Sequence, residues 1–128
     1  MQIHESAEDY LEAILILREE KDSVRSIDIV NKLGYSKPSI SVAMKHLREN
    51  GYITMGEDGI IALTDSGYKI AERIYTRHRV LTRMLVSIGV SEATAAADAC
   101  KIEHDISDES FKKIQEHMNT DDGKIYKV

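Results

Sequence analysis

Ala99-Cys100-Lys101-Ile102-Glu103-His104-Asp105 places a thiol, a carboxylate and an imidazole within five consecutive positions. In a helix, residues three and four apart project from one face, so the spacing predicts that Cys100, Glu103 and His104 converge on a common point. All three side chains are metal ligands: the carboxylate is hard, the imidazole borderline and the thiolate soft. A divalent ion held there explains why an apolar helix face is interrupted at these positions. Read alone, the stretch stays open to a plainer account, since a single Cys is commonly a small buried hydrophobe and a Glu-His pair commonly solvated surface. The cluster needs partners from elsewhere in the chain.

Two further places carry suitable residues. Asp9 and Glu12 are three apart on an amphipathic stretch from Glu5 to about Lys21, whose apolar positions are Tyr10, Leu11, Ile14, Leu15 and Leu17. Taken in isolation, such a pair is a solvated acidic face. His78 sits in the middle of a long helical pattern that begins after Thr64-Asp65-Ser66-Gly67 and reaches Gly89, with Ile70, Ile74, Tyr75, Leu81, Met84, Leu85 and Ile88 as its apolar positions. An isolated mid-helix histidine is ordinarily a packed or surface residue.

The elements that must position these groups read as helices throughout. Ser26 to Leu33 is a short helix with a Ser cap, stopped by Gly34. Pro38 falls in the first turn of the next helix, where its missing N–H is tolerated, and Ile40, Val42, Ala43, Met44 and Leu47 follow at helical spacing to Asn50-Gly51. Two short helices about a tight turn make a helix-turn-helix, whose second member reads the major groove through its N-terminal residues. Arg25, Ser36, Lys37, Pro38, Ser39, Ser41 and Lys45 are the candidate DNA-contacting residues: hydroxyls for phosphates or base edges, cations for the backbone. Tyr52-Ile53-Thr54-Met55 and Ile60-Ile61-Ala62-Leu63 flank Gly56-Glu57-Asp58-Gly59, a hairpin signal that here reads as the wing of a winged helix, with an acidic tip ill suited to phosphate. Ser91-Glu92-Ala93 caps a helix from Ala95 to about Ile106, and Ser107-Asp108-Glu109-Ser110 caps a last one bearing Phe111, Ile114 and Met118. That last helix and the Leu81, Met84, Leu85, Ile88 stripe offer more apolar surface than two short helices cover, so an isologous homodimer is expected. Asn119 to Val128 reads as a loose polar tail, and His4, His46 and His117 as surface residues.

The expected architecture is mostly α: a winged helix-turn-helix DNA-binding domain over 1–64, then an α-helical metal-binding and dimerisation domain over 65–128. Composition agrees. With 17 basic and 22 acidic residues the net charge is -5, yet between Lys21 and Met55 six basic residues face three acidic ones, a net of +3, so the DNA-facing segment is positive within an acidic chain. No apolar run approaches a membrane span, Met1 to Glu5 lacks signal-peptide order, and one cysteine forms no internal disulfide. A cytoplasmic protein with no membrane partner is expected.

In this order, helix-turn-helix, wing, long connector and ligand cluster, the chain resembles the diphtheria toxin repressor family of metal-dependent transcriptional regulators, and within it the manganese transport regulator branch. The resemblance runs from Ser6-Ala7-Glu8-Asp9-Tyr10-Leu11-Glu12 through Ser36-Lys37-Pro38-Ser39 and Tyr75-Thr76-Arg77-His78 to Cys100-Lys101-Ile102-Glu103-His104-Asp105-Ile106-Ser107-Asp108. It implies a repressor of metal-ion homeostasis genes, and an effector site of Asp9, Glu12, His78, Cys100, Glu103 and His104. Cys100 departs from the manganese branch, which has a glutamate there able to touch two ions. The iron-responsive branch matches at Cys100 but has methionine where Asp9 stands, and Thr82 and Ala96 occupy the places of two of its accessory ligands. One firm ion site is therefore expected, and at best a weaker second. Three hard carboxylates favour Mn²⁺, with Fe²⁺ close behind and Co²⁺, Zn²⁺ or Cd²⁺ able to substitute. Full-length iron-type relatives carry a C-terminal SH3-like domain, for which a chain ending at Val128 leaves no room.

The implied ligands lie on both sides of a joint, so binding would favour one orientation of the two parts and set the spacing of two reading helices on palindromic double-stranded operator DNA, about 34 Å between half-sites. Without a cation, Asp9, Glu12 and Glu103 repel one another and loosen the joint. Two rivals stand beside this reading. A winged-helix redox sensor would act through Cys100 alone. A helical-bundle dinuclear metalloenzyme would use paired Glu-x-x-His motifs, and no Glu here has a His three residues later.

Overall fold

The computed structural model describes residues 5–119. His4 and the tail after Asn119, both singled out above, lie outside the described residues. The chain divides into two compact units, Met1–Arg73 and Ile74–Val128.

The first unit is a three-helix cluster with a hairpin. α1 (Glu5–Glu20), α2 (Ser26–Leu33) and α3 (Lys37–Glu49) pack about Leu11, Ile14, Ile29, Ile40, Met44 and Leu47, all buried. The turn between α2 and α3 depends on Gly34, whose φ of 77° lets its N–H close on the Val30 carbonyl at 2.8 Å, a left-handed cap that side chains with a Cβ adopt at a cost. Ser36 then caps α3, its hydroxyl accepting from the Ser39 N–H at 3.2 Å, with Pro38 in the first turn. α2 starts one residue differently from the sequence reading: Ser26 is its first helical residue rather than its cap. Arg25 holds the cap position with extended backbone, and its N–H donates to the Asp28 carboxylate at 2.9 Å.

The wing is β1 (Ile53–Met55) paired antiparallel with β2 (Ile61–Leu63), in the register Ile53 to Leu63, Thr54 to Ala62 and Met55 to Ile61. Ile53 and Ile61 point into the core, while the Ile61 N–H reaches the Val24 carbonyl at 2.8 Å and ties the hairpin to the α1–α2 connection. At the tip, the Arg25 guanidinium donates to the Asp58 carbonyl at 3.2 Å. α4 (Asp65–Ser87) begins against the hairpin: the Thr64 hydroxyl donates to the Gly51 carbonyl at 2.6 Å and accepts from the Gly67 N–H at 3.2 Å.

The boundary between the units falls within α4. The second unit contains the rest of that helix with α5 (Glu92–Ile102) and α6 (Asp108–Asn119). Ser91 caps α5 and Ser107 caps α6 through their hydroxyls, as the sequence pattern requires. Ile74, Val80, Leu81, Ala95, Ala99 and Met118 are buried. Two readings need correction. α5 runs over 92–102 rather than 95–106, and Leu81 belongs to the buried set rather than to an exposed stripe. Met84 and Leu85 are half-buried, so the exposed apolar residues at this end of α4 and just beyond it are Val86 and Ile88, the latter 71% exposed. The mostly α architecture with a two-stranded wing is as expected.

Two positions test this packing. A Cβ at Gly67 would stand 2.0 Å from the Tyr52 carbonyl oxygen, a backbone atom that cannot swing aside. Gly67→Ala is expected to destabilise by about 1–3 kcal/mol, read as a lower denaturant midpoint by circular dichroism; an unchanged midpoint would contradict the close approach. The Lys21 ammonium, 2.5 Å from Asp28, and then the Arg25 N–H hold the Asp28 carboxyl below its ordinary range. Its contribution is therefore present above the unfolded carboxylate pKa of about 3.9 and lost as pH falls through the lower folded value. Asp28→Asn should cost no more than about 1 kcal/mol at neutral pH for so exposed a pair, with the gap to the parent protein closing in acid. A gap that widened on acidification would refute the pairing.

Candidate functional site

α4 and the end of α5 bring three of the expected ligands together. Ala95 and Ala99 are wholly buried, and such small residues leave little bulk between packed helices. His78 Nδ1 lies 3.7 Å from Cys100 Sγ and 3.6 Å from Glu103 Oε1. One donor atom from each of the three residues falls within 4.8 Å of the others. Their surroundings differ: Cys100 is exposed, His78 half-buried and Glu103 fully buried.

Glu103 is the unusual member. Neither of its carboxylate oxygens accepts a hydrogen bond among the described residues. Leaving a carboxylate out of water without such bonds is strongly unfavourable unless positive charge reaches it. The atoms nearest to hand are an imidazole nitrogen and a thiol sulfur, which are themselves ligands. This donor set and this orphaned acid fit a divalent cation.

His104 follows Glu103 in the turn over 103–105 and is half-buried; it is not within the close three-residue group. The convergence expected of Cys100, Glu103 and His104 assumed an uninterrupted helix, and α5 ends at Ile102. Asp9 and Glu12 lie on α1, in the first unit, half-buried and buried respectively. Thr82 and Ala96, which stand in place of accessory ligands, line an open cavity of about 620 Å³ with His78, Arg79, Arg83, Val86 and Glu92. There the Thr82 hydroxyl donates to the His78 carbonyl at 2.7 Å and so steadies the turn that carries the imidazole.

One residue that the sequence reading passed over stands behind this group. Arg77, buried at 2% exposure, donates to the Glu103 carbonyl at 3.0 Å and the Ile106 carbonyl at 2.7 Å, and pairs with the Asp108 carboxylate. The available signal was an arginine one position before a candidate ligand, three residues after the apolar position Ile74.

In the first unit, Arg25, Ser36, Lys37, Pro38, Ser39, Ser41 and Lys45 are all exposed. Ile40, Met44 and Leu47 on the same helix are buried, so α3 presents two lysines and two serine hydroxyls to solvent, with a third hydroxyl on its cap Ser36. That is the composition a major-groove reading helix needs.

Comparison with known proteins agrees with both halves. Residues 2–59 match the family model for the N-terminal DNA-binding domain of iron-dependent repressors, and residues 64–122 match that for their metal-binding and dimerisation domain. The chain belongs to the iron-dependent repressor family. This is the diphtheria toxin repressor family of the sequence reading, and membership makes the protein a metal-dependent DNA-binding transcriptional regulator rather than an enzyme. It is 36% identical over 109 residues to the HTH-type transcriptional regulator MntR of Geobacillus kaustophilus, covering 85% of this chain and 77% of that one. It is 34% identical over 107 residues to the transcriptional regulator MntR of Escherichia coli O6:H1, covering 84% and 69%. A solved manganese-dependent transcriptional repressor in complex with manganese superposes with a TM-score of 0.81 at 30% identity over 88% of this chain. The chain spans about half of that solved protein, 52% of its length. No helix among the described residues is long and apolar enough to cross a membrane.

The orphaned acid gives a test that needs no DNA. Glu103→Met removes a buried carboxylate that accepts no hydrogen bond and keeps its volume. The cation-free protein should hold or gain stability, by about 1–3 kcal/mol. The rise in melting temperature on adding Mn²⁺, equivalent to about 2.7 kcal/mol at a hundredfold excess over Kd, should disappear. A variant that still gains stability with Mn²⁺ would remove Glu103 from the site.

Proposed function

We propose that the protein is a repressor switched on for operator binding by Mn²⁺, or by Fe²⁺, through a site made of Asp9, Glu12, His78, Cys100, Glu103 and His104. The observation that carries this reading is the buried Glu103 carboxylate beside His78 and Cys100. A divalent cation would supply the positive charge that the carboxylates and the thiolate require. His78 and Cys100 bring nitrogen and sulfur donors from α4 and α5. Asp9, Glu12 and Glu103 are three hard donors against one soft one, which favours Mn²⁺, while Cys100 draws the preference toward Fe²⁺ and lets Co²⁺, Zn²⁺ or Cd²⁺ substitute. The manganese-dependent relatives support the same choice.

The rest of the reading follows the division of the chain. Residues 1–64 bind DNA and residues 65–128 carry the helical metal-binding and dimerisation part. Arg25, Ser36, Lys37, Pro38, Ser39, Ser41 and Lys45 contact a palindromic operator, one half-site for each protomer of a homodimer. Lys37 and Lys45 lie on the solvent face of α3 and supply the phosphate contacts, while the serine hydroxyls approach base edges. The place of action is the cytoplasm, where a lone cysteine stays reduced and DNA is within reach. Asp9 and Glu12 belong to the DNA-binding part and the other four ligands to the helical part. Coordination by both sets would therefore couple cation occupancy to the orientation of the reading helix.

The test is fluorescence anisotropy on duplexes selected from a random library with Mn²⁺ present. Parent protein should bind the selected duplex at least about tenfold more tightly with Mn²⁺ than with chelator. His104→Ala and Asp9→Asn should lose that stimulation while keeping parental far-UV circular dichroism. Lys37→Ala should keep the stimulation and lower the salt slope of binding by about 1. Stimulation that survives in both ligand variants would sink the proposed site.

A further inference from the structure

We propose that Arg77 is a positioning residue for the metal site: its guanidinium ends α5 after Ile102 and fixes the Glu103–Ile106 turn against the helix that carries His78. The inference rests on the metal-site reading above and adds a residue which is not itself a ligand.

The geometry is that of a clamp. Arginine presents its N–H donors in a rigid planar fork and cannot lose its charge in a protein. Here Nη1 holds two main-chain carbonyls, those of Glu103 and Ile106, while Nη2 pairs with Asp108 at the start of α6. The cation lies where α5 exposes its last carbonyls, the negative end of that helix, and the Phe111 ring lies 5.3 Å from the guanidinium carbon. A guanidinium only 2% exposed is held by its partners or not at all, so moving the loop away would leave a buried charge uncompensated.

The consequence falls on the ligands. Nothing between Cys100 and Ile106 is a helix breaker, so α5 left to itself would continue through Glu103 and His104. The Ile106 N–H still makes a helical bond to the Ile102 carbonyl at 3.1 Å, but the Asp105 N–H reaches that same carbonyl, only three residues back, at 3.0 Å, so the chain tightens into a turn over 103–105. Arg77 thus grips the main chain of Glu103 while the side chain of the same residue faces His78. Because Arg77 and His78 are consecutive on α4, the clamp and the imidazole move as one body. Cys100 lies inside α5 and owes its place to that helix instead.

This separation makes the proposal measurable with Co²⁺ alone. In the parent protein, Co²⁺ should give a near-ultraviolet thiolate-to-metal band from Cys100 together with visible ligand-field bands. Arg77→Met keeps the apolar stem and removes the fork. It should bind Co²⁺ roughly 10–100-fold more weakly and, once saturated, retain the thiolate band while the ligand-field bands change, because Glu103 and His104 no longer arrive in place. A merely structural role would instead weaken both bands together, in step with the unfolded fraction. Asp108→Asn, at a carboxylate 84% exposed, is the milder variant, since Arg77 keeps both main-chain carbonyls; it should bind Co²⁺ less weakly than Arg77→Met and keep the parental ligand-field spectrum. Without metal, amide exchange at Asp105 and Ile106 should quicken in Arg77→Met while that within α6 stays parental. Parental affinity, spectrum and exchange in Arg77→Met would overturn the proposal. A parent spectrum lacking the thiolate band would overturn the ligand reading instead, leaving the exchange result to decide the clamp.

Discussion

A carboxylate sealed from water without a hydrogen bond is hard to keep in a folded protein, and Glu103 is held in that state by everything around it. Alanines at 95 and 99 are buried, so the helix that leads to Glu103 packs without bulk. Its own carbonyl is anchored by Arg77, which fixes the main chain from which the acid projects. His78 Nδ1 lies 3.6 Å from one of its oxygens, and Cys100 Sγ lies 3.7 Å from that same nitrogen. Burying an acid in this way costs stability unless positive charge reaches it, and that is the constraint a divalent cation would relieve.

Local signals made most of the scaffold legible in the sequence. Gly34, Ser36 and Pro38 mark the helix-turn-helix because each acts on the few residues beside it, and the wing follows from two β-rich runs about Gly56 and Gly59. The serines at 91 and 107 announce the last two helices for the same reason. The end of α5 was not legible. The residue that terminates it is Arg77, 26 positions earlier in the chain, and no periodicity within α5 carries that information. Leu81 was misplaced for a related reason: an apolar stripe shows which side of a helix is greasy, but only packing decides how much of that side the same chain covers. The ligand set was only partly readable. Cys100, Glu103 and His104 stand out by spacing, whereas Asp9, Glu12 and His78 entered as ligands through family resemblance, and the fold then sets His78 beside Cys100 and Glu103.

Charge is arranged in the same divided manner. The chain is acidic as a whole, yet the exposed face of α3 is basic and hydroxyl-rich, while the wing tip is acidic and its Asp58 carbonyl is tied to Arg25. Arg25 therefore has a structural duty beside any contact with phosphate: it closes the cap of α2 through its backbone and steadies the hairpin through its side chain. The segment between Lys21 and Met55 carries a net +3 within a chain of net charge -5, a local attraction for a polyanion.

Ser36 joins two roles on one hydroxyl. It accepts the Ser39 N–H that opens α3, and it donates to the Ser39 hydroxyl at 2.9 Å. Ser41 and Lys45, one turn and two turns further along, have no such obligation to the start of the helix. A substitution that keeps the fold can therefore range widely at 41 and 45, but at 36 it is confined to the few side chains that begin a helix. For a chain that met DNA through α3 as proposed, any change of specificity would be channelled by the mechanics of a helix start as much as by the bases.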